Sequence, residues 1–254
     1  MKKGRWHSLK LSCNDIQNTS AVLYLRLACC SFFTPKTGYT QKPDTSKYGV
    51  AVTRDIRYYQ KCILSDSNKV MKELSTLIPH IVYDLKYASK NNFTGKALYP
   101  KNTHKTYLRA PAAYALALVQ EELSKQHLGI KVFDAYRPYS VTVSFWELIK
   151  DERYVAHPAK ASGHNRGLAI DCTLIDLRTG KELDMGTSFD NFTDTAHQTF
   201  TNLPPAILAN RKLFRDVMTK YGFRIFDTEW WHYFWVNDRE YEALDIPVRN
   251  LRMR

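Results

Sequence analysis

The 254-residue chain contains no apolar run of the roughly 18 residues that a membrane-spanning helix requires. Cysteine is scarce and unpaired in pattern. The five are odd in number and form no CxxC pair, and Cys13, Cys29 and Cys30 crowd the N-terminal part, leaving Cys62 and Cys172. Neither a disulfide framework nor a zinc ribbon is implied by that pattern. Internal repeats and low-complexity linkers are missing after Lys47, which removes solenoid and multidomain readings. Finger-type Cys/His spacing, an RNP-like aromatic strand and a basic recognition helix are missing as well. A net charge of +12 therefore has no nucleic-acid reader to serve.

What is present is ordinary for a soluble globular protein: 44% hydrophobic and 24% charged residues. The mass of 29.5 kDa suits one sizeable domain. The basic excess is uneven, because residues 1–47 hold eight Lys/Arg against Asp15 and Asp44 and so carry half of it. In this segment basic residues precede a short apolar stretch, Ala21 to Phe33, and a polar stretch, Thr34 to Lys47. That is the order of a secretory signal, or of a lipid-anchored start, followed by a tether. Arg26 within the apolar stretch and Asp15 before it fit the pattern poorly. Residues 1–47 are read as an extension and residues 48–254 as the domain, with export to the cell envelope favoured over a cytoplasmic location. Oligomeric state is not legible.

Within the domain, Pro111 to Leu123 reads as a helix with proline in its first turn, ending near Gly129. Ile130 to Ala135 alternates like a strand, Val141 to Arg153 reads as a helix, and Leu168 to Ile175 as a buried strand. A third long helix starts near Asn202 and stops at Gly222. Phe223–Phe226 and Tyr233–Val236 read as two further strands. Helices and strands mix without βαβ alternation, which favours an α+β layer.

Three segments concentrate histidine, carboxylate and arginine in unusual settings. In Ser162-Gly-His-Asn-Arg-Gly-Leu-Ala-Ile-Asp171 a glycine-flanked turn presents His164, and Asp171 sits among apolar neighbours. A carboxylate there needs a partner: a metal ion, a turn to cap, or Arg166. In Glu229-Trp-Trp-His232 two polar groups project from an aromatic wall. Strand alternation would put them on opposite faces, so both reach one site only if the chain bulges between them; a core strand with one satisfied histidine is the plainer reading. In Asp134-Ala-Tyr-Arg-Pro138, proline holds Arg137 extended. It either pairs with Asp134 or a terminal carboxylate, or serves a developing oxyanion. Together, two histidines and an aspartate make three ligands with an open fourth position, and a nearby glutamate can act as base. That is a catalytic zinc arrangement.

These segments, with Tyr83-Asp-Leu-Lys-Tyr87, Asn91-Asn-Phe-Thr-Gly95 and Asp184-Met-Gly-Thr-Ser-Phe-Asp190, resemble the zinc D-alanyl-D-alanine dipeptidases, the VanX-like peptidases of family M15. The likeness runs from about Ile78 to Trp235. It implies a single compact α+β domain with a mostly antiparallel sheet flanked by helices and one zinc ion in a central cleft. It further implies that His164, Asp171 and His232 bind the ion, Glu229 is general base and then proton donor, and Arg137 stabilises the transition state. Asp190 and Tyr87 are implied near the substrate's ammonium end, with Ser162 lining the site. The implied partner is a small dipeptide, hydrolysed to two D-alanines. A D,D- or L,D-carboxypeptidase acting on peptidoglycan stems and a catalytically silent wall-peptide-binding module are the alternatives. The Ala97-Leu-Tyr-Pro100 stretch departs from the family spacing and leaves Tyr99 without an implied pocket role.

Overall fold

One five-stranded sheet, covered on its apolar face by two long helices, carries Asp134, Asp171, Glu229 and His232. The computed structural model describes residues 43–251. The expected leader and tether up to residue 42, with Cys13, Cys29 and Cys30, lie outside the described residues. The strands are β1 (Asp44–Thr45), β2 (Ala51–Thr53), β3 (Met71–Glu73), β4 (Val82–Tyr83), β5 (Tyr107–Arg109), β6 (Leu128–Asp134), β7 (Ala169–Asp176), β8 (Phe223–Phe226), β9 (Glu229–Trp235) and β10 (Ala243–Leu244). The α-helices are α1 (Ile56–Ser65), α2 (Leu74–Leu77), α3 (Ala110–Ser124), α4 (Tyr139–Ile149), α5 (Gly163–Arg166) and α6 (Pro205–Lys220).

The large sheet has the order β4-β6-β7-β9-β8, with only the β4–β6 pair parallel. This is the expected α+β architecture with a mostly antiparallel sheet. Alternation along the strands sends Ile130 and Val132 of β6 and Ile170, Cys172 and Leu174 of β7 into one apolar cluster. Leu116, Val119 and Leu123 of α3 and Phe214, Val217 and Met218 of α6 complete it. Each such side chain contributes about 1.5–3 kcal/mol when fully buried, so this layer anchors the sheet. The residues between them, Asp171 among them, face the other side. Two small sheets, β1-β2-β10 and β3-β5, flank the core. Pairing of β1 with β2, and a hydrogen bond between Ser46 Oγ and Tyr139 Oη of 3.0 Å, join the last residues of the 1–47 segment to the domain.

Several element boundaries differ from expectation. Helix α3 ends at Ser124, not near Gly129, because the chain closes a tight turn there: Lys125 N donates to Glu122 O, Gln126 N donates to Leu123 O, and His127 takes φ 57°. Gly129 instead lies inside β6. A β-carbon there would stand 2.6 Å from Leu177 Cδ2, so the glycine serves close packing rather than a helix stop. Helix α4 runs two residues earlier than expected and stops at Ile149, where Lys150 adopts a left-handed cap. Strand β9 starts at Glu229, four residues before the expected Tyr233. No helix among the described residues is long and apolar enough to cross a membrane.

Candidate active site

The site is a row of side chains across three neighbouring strands. Asp171 of β7 is directly opposite His232 of β9. On the other side, Lys131 and Val132 of β6 pair with Thr173 and Cys172, but the next partner of β7 is Asp134, opposite Asp171. One extra residue in β6, a bulge, thus brings Asp134 rather than Phe133 against Asp171. His164 comes from the short helix α5 just before β7. Ser162 caps that helix, its Oγ accepting from His164 N at 3.2 Å, and the Asn165 side chain reaches back to Ser162 N at 2.8 Å. Gly163 is obligatory in this turn: a β-carbon would lie 2.6 Å from Phe234 Cδ2 and 2.9 Å from Ala169 Cβ.

The bulge demanded between Glu229 and His232 is present. Ile225 of β8 pairs with Tyr233, yet the next residue, Phe226, pairs with Glu229. The chain gathers residues 230–232 into that step, and Glu229 Oε2 ends 3.9 Å from His232 Nδ1 despite the odd spacing. All eight residues singled out for the site, Tyr87, Arg137, Ser162, His164, Asp171, Asp190, Glu229 and His232, line one cavity of about 330 Å³. Aromatic rings, including Phe93, Phe145, Trp231 and Phe234, form much of the remaining wall.

His164, Asp171 and His232 present ligand atoms that all lie within 4.8 Å of one another. His164 Nδ1 is 2.7 Å from the Ala135 carbonyl, which can only accept, so the ring proton resides there and Nε2 carries a lone pair. That Nε2 is 3.2 Å from His232 Nδ1 and 3.3 Å from Asp171 Oδ2, while His232 Nδ1 is 2.9 Å from Asp171 Oδ1. Two imidazole nitrogens and a carboxylate converge on one point, where they can share protons in hydrogen bonds or together hold a cation. The donor set therefore fits a metal, and the mix of imidazole and carboxylate suits zinc better than calcium or magnesium. A carbonyl hydrogen bond to the far nitrogen of a ligand histidine is the usual outer support of such a site. Burial lowers the His232 pKa below its ordinary value, keeping the ring neutral and available as a ligand.

Burial, reinforced by the charges of Asp171 and Asp190, raises the Glu229 carboxyl well above the ordinary carboxylate range. Asp190 is pushed up to about 7, first by burial and then by Asp171. Tyr87 Oη donates to Asp190 at 3.1 Å from Oδ1. Arg137 stays charged although buried: Asp134 Oδ2 accepts from its Nε at 2.8 Å, and Nη2 is 3.3 Å from Asp171 Oδ2. Its guanidinium lies over the rings of Phe145 and Tyr87, 4.7 and 5.2 Å from their centroids. Arg137 thus pairs with Asp134, one of its two expected roles, and also lines the cavity. Asp171 meets Arg137 rather than Arg166, whose guanidinium goes to the Tyr241 carbonyl.

Two contributors are not among the residues expected to line the site, although Asp134 is one of the expected partners of Arg137. Asp134, fully buried, holds Arg137 through one oxygen and accepts from Tyr99 Oη at 2.5 Å through the other. Tyr99 therefore reaches the site through Asp134 and is not part of the cavity wall. Its only sequence signal is a tyrosine in a stretch of unfamiliar spacing, which says nothing about a partner 35 residues away. The second is Arg224 of β8, which lines the cavity.

A family model described as Peptidase_M15, D-ala-D-ala dipeptidase, matches residues 67–245. The D-alanyl-D-alanine dipeptidase of Escherichia coli (strain K12) is 36% identical over 170 residues, which is 67% of this chain and 86% of that protein. The D-alanyl-D-alanine dipeptidase of Enterococcus faecalis (strain ATCC 700802 / V583) is 31% identical over 178 residues, 63% of this chain and 88% of that protein. A solved LdcB LD-carboxypeptidase is 21% identical, with a TM-score of 0.38 over 64% of this chain and 68% of that one. With a family model spanning most of the domain and the His/Asp/His cluster inside the matched residues, the chain belongs to the Peptidase_M15 D-ala-D-ala dipeptidase family.

Proposed function

We propose that the protein is a zinc dipeptidase that hydrolyses free D-Ala-D-Ala to two molecules of D-alanine. The observation that carries this reading is the convergence of His164, Asp171, His232, Glu229 and Arg137 on one cavity that the hydrogen-bonded pair Asp190–Tyr87 also lines. His164, Asp171 and His232 would hold one zinc ion per chain. When bound, zinc supplies Lewis acidity that polarises a carbonyl and makes water more acidic.

The remaining work falls to the chain's own groups. Glu229, 3.9 Å from His232 Nδ1, takes a proton from the attacking water and returns it to the nitrogen of the departing D-alanine. Its raised pKa suits the second step, in which a carboxyl must donate. Arg137, fixed by Asp134 and by two aromatic rings, offers its guanidinium to the oxygen on which negative charge develops. Asp190, with Tyr87, receives the substrate's ammonium group. An acylated amine would leave that buried carboxylate without its counter-ion, so longer peptides are disfavoured at this end. A base and an oxyanion partner facing the same cavity have no use in a silent binding module, which weighs against that alternative.

The test is Glu229→Ala. The variant should keep stoichiometric zinc and lose about 10²–10⁴-fold in kcat on D-Ala-D-Ala. Wild-type turnover with full metal content would contradict this assignment.

A further inference from the structure

A dipeptide is a zwitterion, and the preceding account assigns a partner only to its ammonium end. The cavity's deep wall is acidic, with Asp171, Asp190 and Glu229. Of the cations lining the cavity, Arg137 is committed to Asp134 and Asp171, and Lys160 is paired with Glu152. Arg224 differs from both. Among the described residues no carboxylate lies within ion-pair distance of it, although it lines the same cavity.

Strand register places this free guanidinium on the site side of the sheet. Arg224 of β8 is directly opposite Phe234 of β9. Phe234 is two residues from His232, so the two side chains share a face. The Arg224 guanidinium stands over the Phe234 ring at 5.9 Å. That ring in turn lies on the backbone of Gly163, between Ser162 and His164, where no β-carbon could be accommodated. Arg224 thus rests on a fixed aromatic platform built against the metal-ligand turn. Two residues along a strand cover roughly 7 Å, so the position facing Arg224 lies about that far along β9 from His232. A substrate held by Asp190 at its amine, with its scissile bond near His232, leaves its carboxylate in the cavity that Arg224 also lines.

We propose that Arg224 is the specificity residue that receives the C-terminal carboxylate of the dipeptide, so that the cavity reads both charged ends of its substrate. This rests on the dipeptidase reading and extends it. The consequence is selectivity at the C-terminal end: a substrate whose carboxylate is capped as an amide, or displaced by a further residue, loses a charge-assisted partner that a free acid keeps. Arginine suits the task because its planar fork meets both carboxylate oxygens.

The experiment compares D-Ala-D-Ala with its C-terminal amide on zinc-loaded full-length protein, as wild type, Arg224→Gln and Arg224→Lys. For Arg224→Gln, KM for the free acid should rise about five- to tenfold, with kcat within about twofold of wild type. KM for the amide should not change. Arg224→Lys should recover part of the free-acid preference, and that part should weaken as salt is added. An unchanged free-acid KM in Arg224→Gln, or an equal loss on both substrates, overturns the proposal while leaving the dipeptidase reading intact. A wild-type protein that hydrolyses neither compound overturns the dipeptidase reading and this inference with it.

Discussion

Replacing Tyr99 with phenylalanine removes one hydroxyl that is not part of the cavity wall, yet it should slow the reaction. Its partner Asp134 is fully buried, and the Tyr99 hydrogen bond of 2.5 Å is one of two that hold the carboxylate; Arg137 Nε, at 2.8 Å, is the other. A hydrogen bond to a charged group contributes about 1.5–3 kcal/mol. Were all of it spent on placing Arg137, kcat would fall about 10- to 150-fold. Arg137 keeps its bond to Asp134 Oδ2 and its contacts with Phe145 and Tyr87, so the lower end, about tenfold, is expected, with KM nearly unchanged. The discriminating assay is a double-mutant cycle. If Tyr99 acts through Arg137, Tyr99→Phe should cost no further activity in an Arg137→Ala background. Equal fold losses in both backgrounds would refute the relay and reduce Tyr99 to a packing residue.

Two further predictions follow from the buried acid and the crowded turn. Because Asp190 titrates near 7 when folded and near 3.8 when unfolded, the unfolded chain loses that proton first, and stability falls as pH rises between the two values. Asp190→Asn should therefore melt above wild type at pH 8, should lose that advantage at pH 4, and should raise KM for D-Ala-D-Ala at pH 8. A variant that melts no higher at pH 8 would show that the buried charge is otherwise compensated. Gly163→Ala should destabilise the protein by about 1–3 kcal/mol, since the added carbon meets Phe234 and Ala169, and it should weaken zinc retention by shifting His164. Unchanged melting and unchanged zinc content by metal analysis would show that the turn can yield.

The two histidine-bearing motifs could be read because each is local. His164 and Asp171 lie within one turn-and-strand segment, and the histidine and carboxylate of Glu229-Trp-Trp-His232 are three residues apart. Their convergence was not readable from spacing. It depends on Asp171 facing His232 across β7 and β9, a register that tertiary packing of Ile170, Cys172 and Leu174 enforces. The two strand irregularities were visible at most as a demand, for Glu229 and His232, and not at all for Asp134, because a bulge is a property of two strands together. The misplaced end of α3 has a similar cause. Gly129 looks like a helix stop, but its lack of a side chain answers to Leu177, which approaches from a distant part of the chain.

Metal and end specificity meet in a single measurement: release of D-alanine from free D-Ala-D-Ala and from its N-acetylated form, with and without a chelator. The account predicts hydrolysis of the free dipeptide, loss of that activity with chelator and its return with added zinc, and little or no turnover of the acetylated substrate, which cannot satisfy Asp190. Turnover confined to the acetylated peptide, or activity on the free dipeptide that survives complete metal removal, would contradict it.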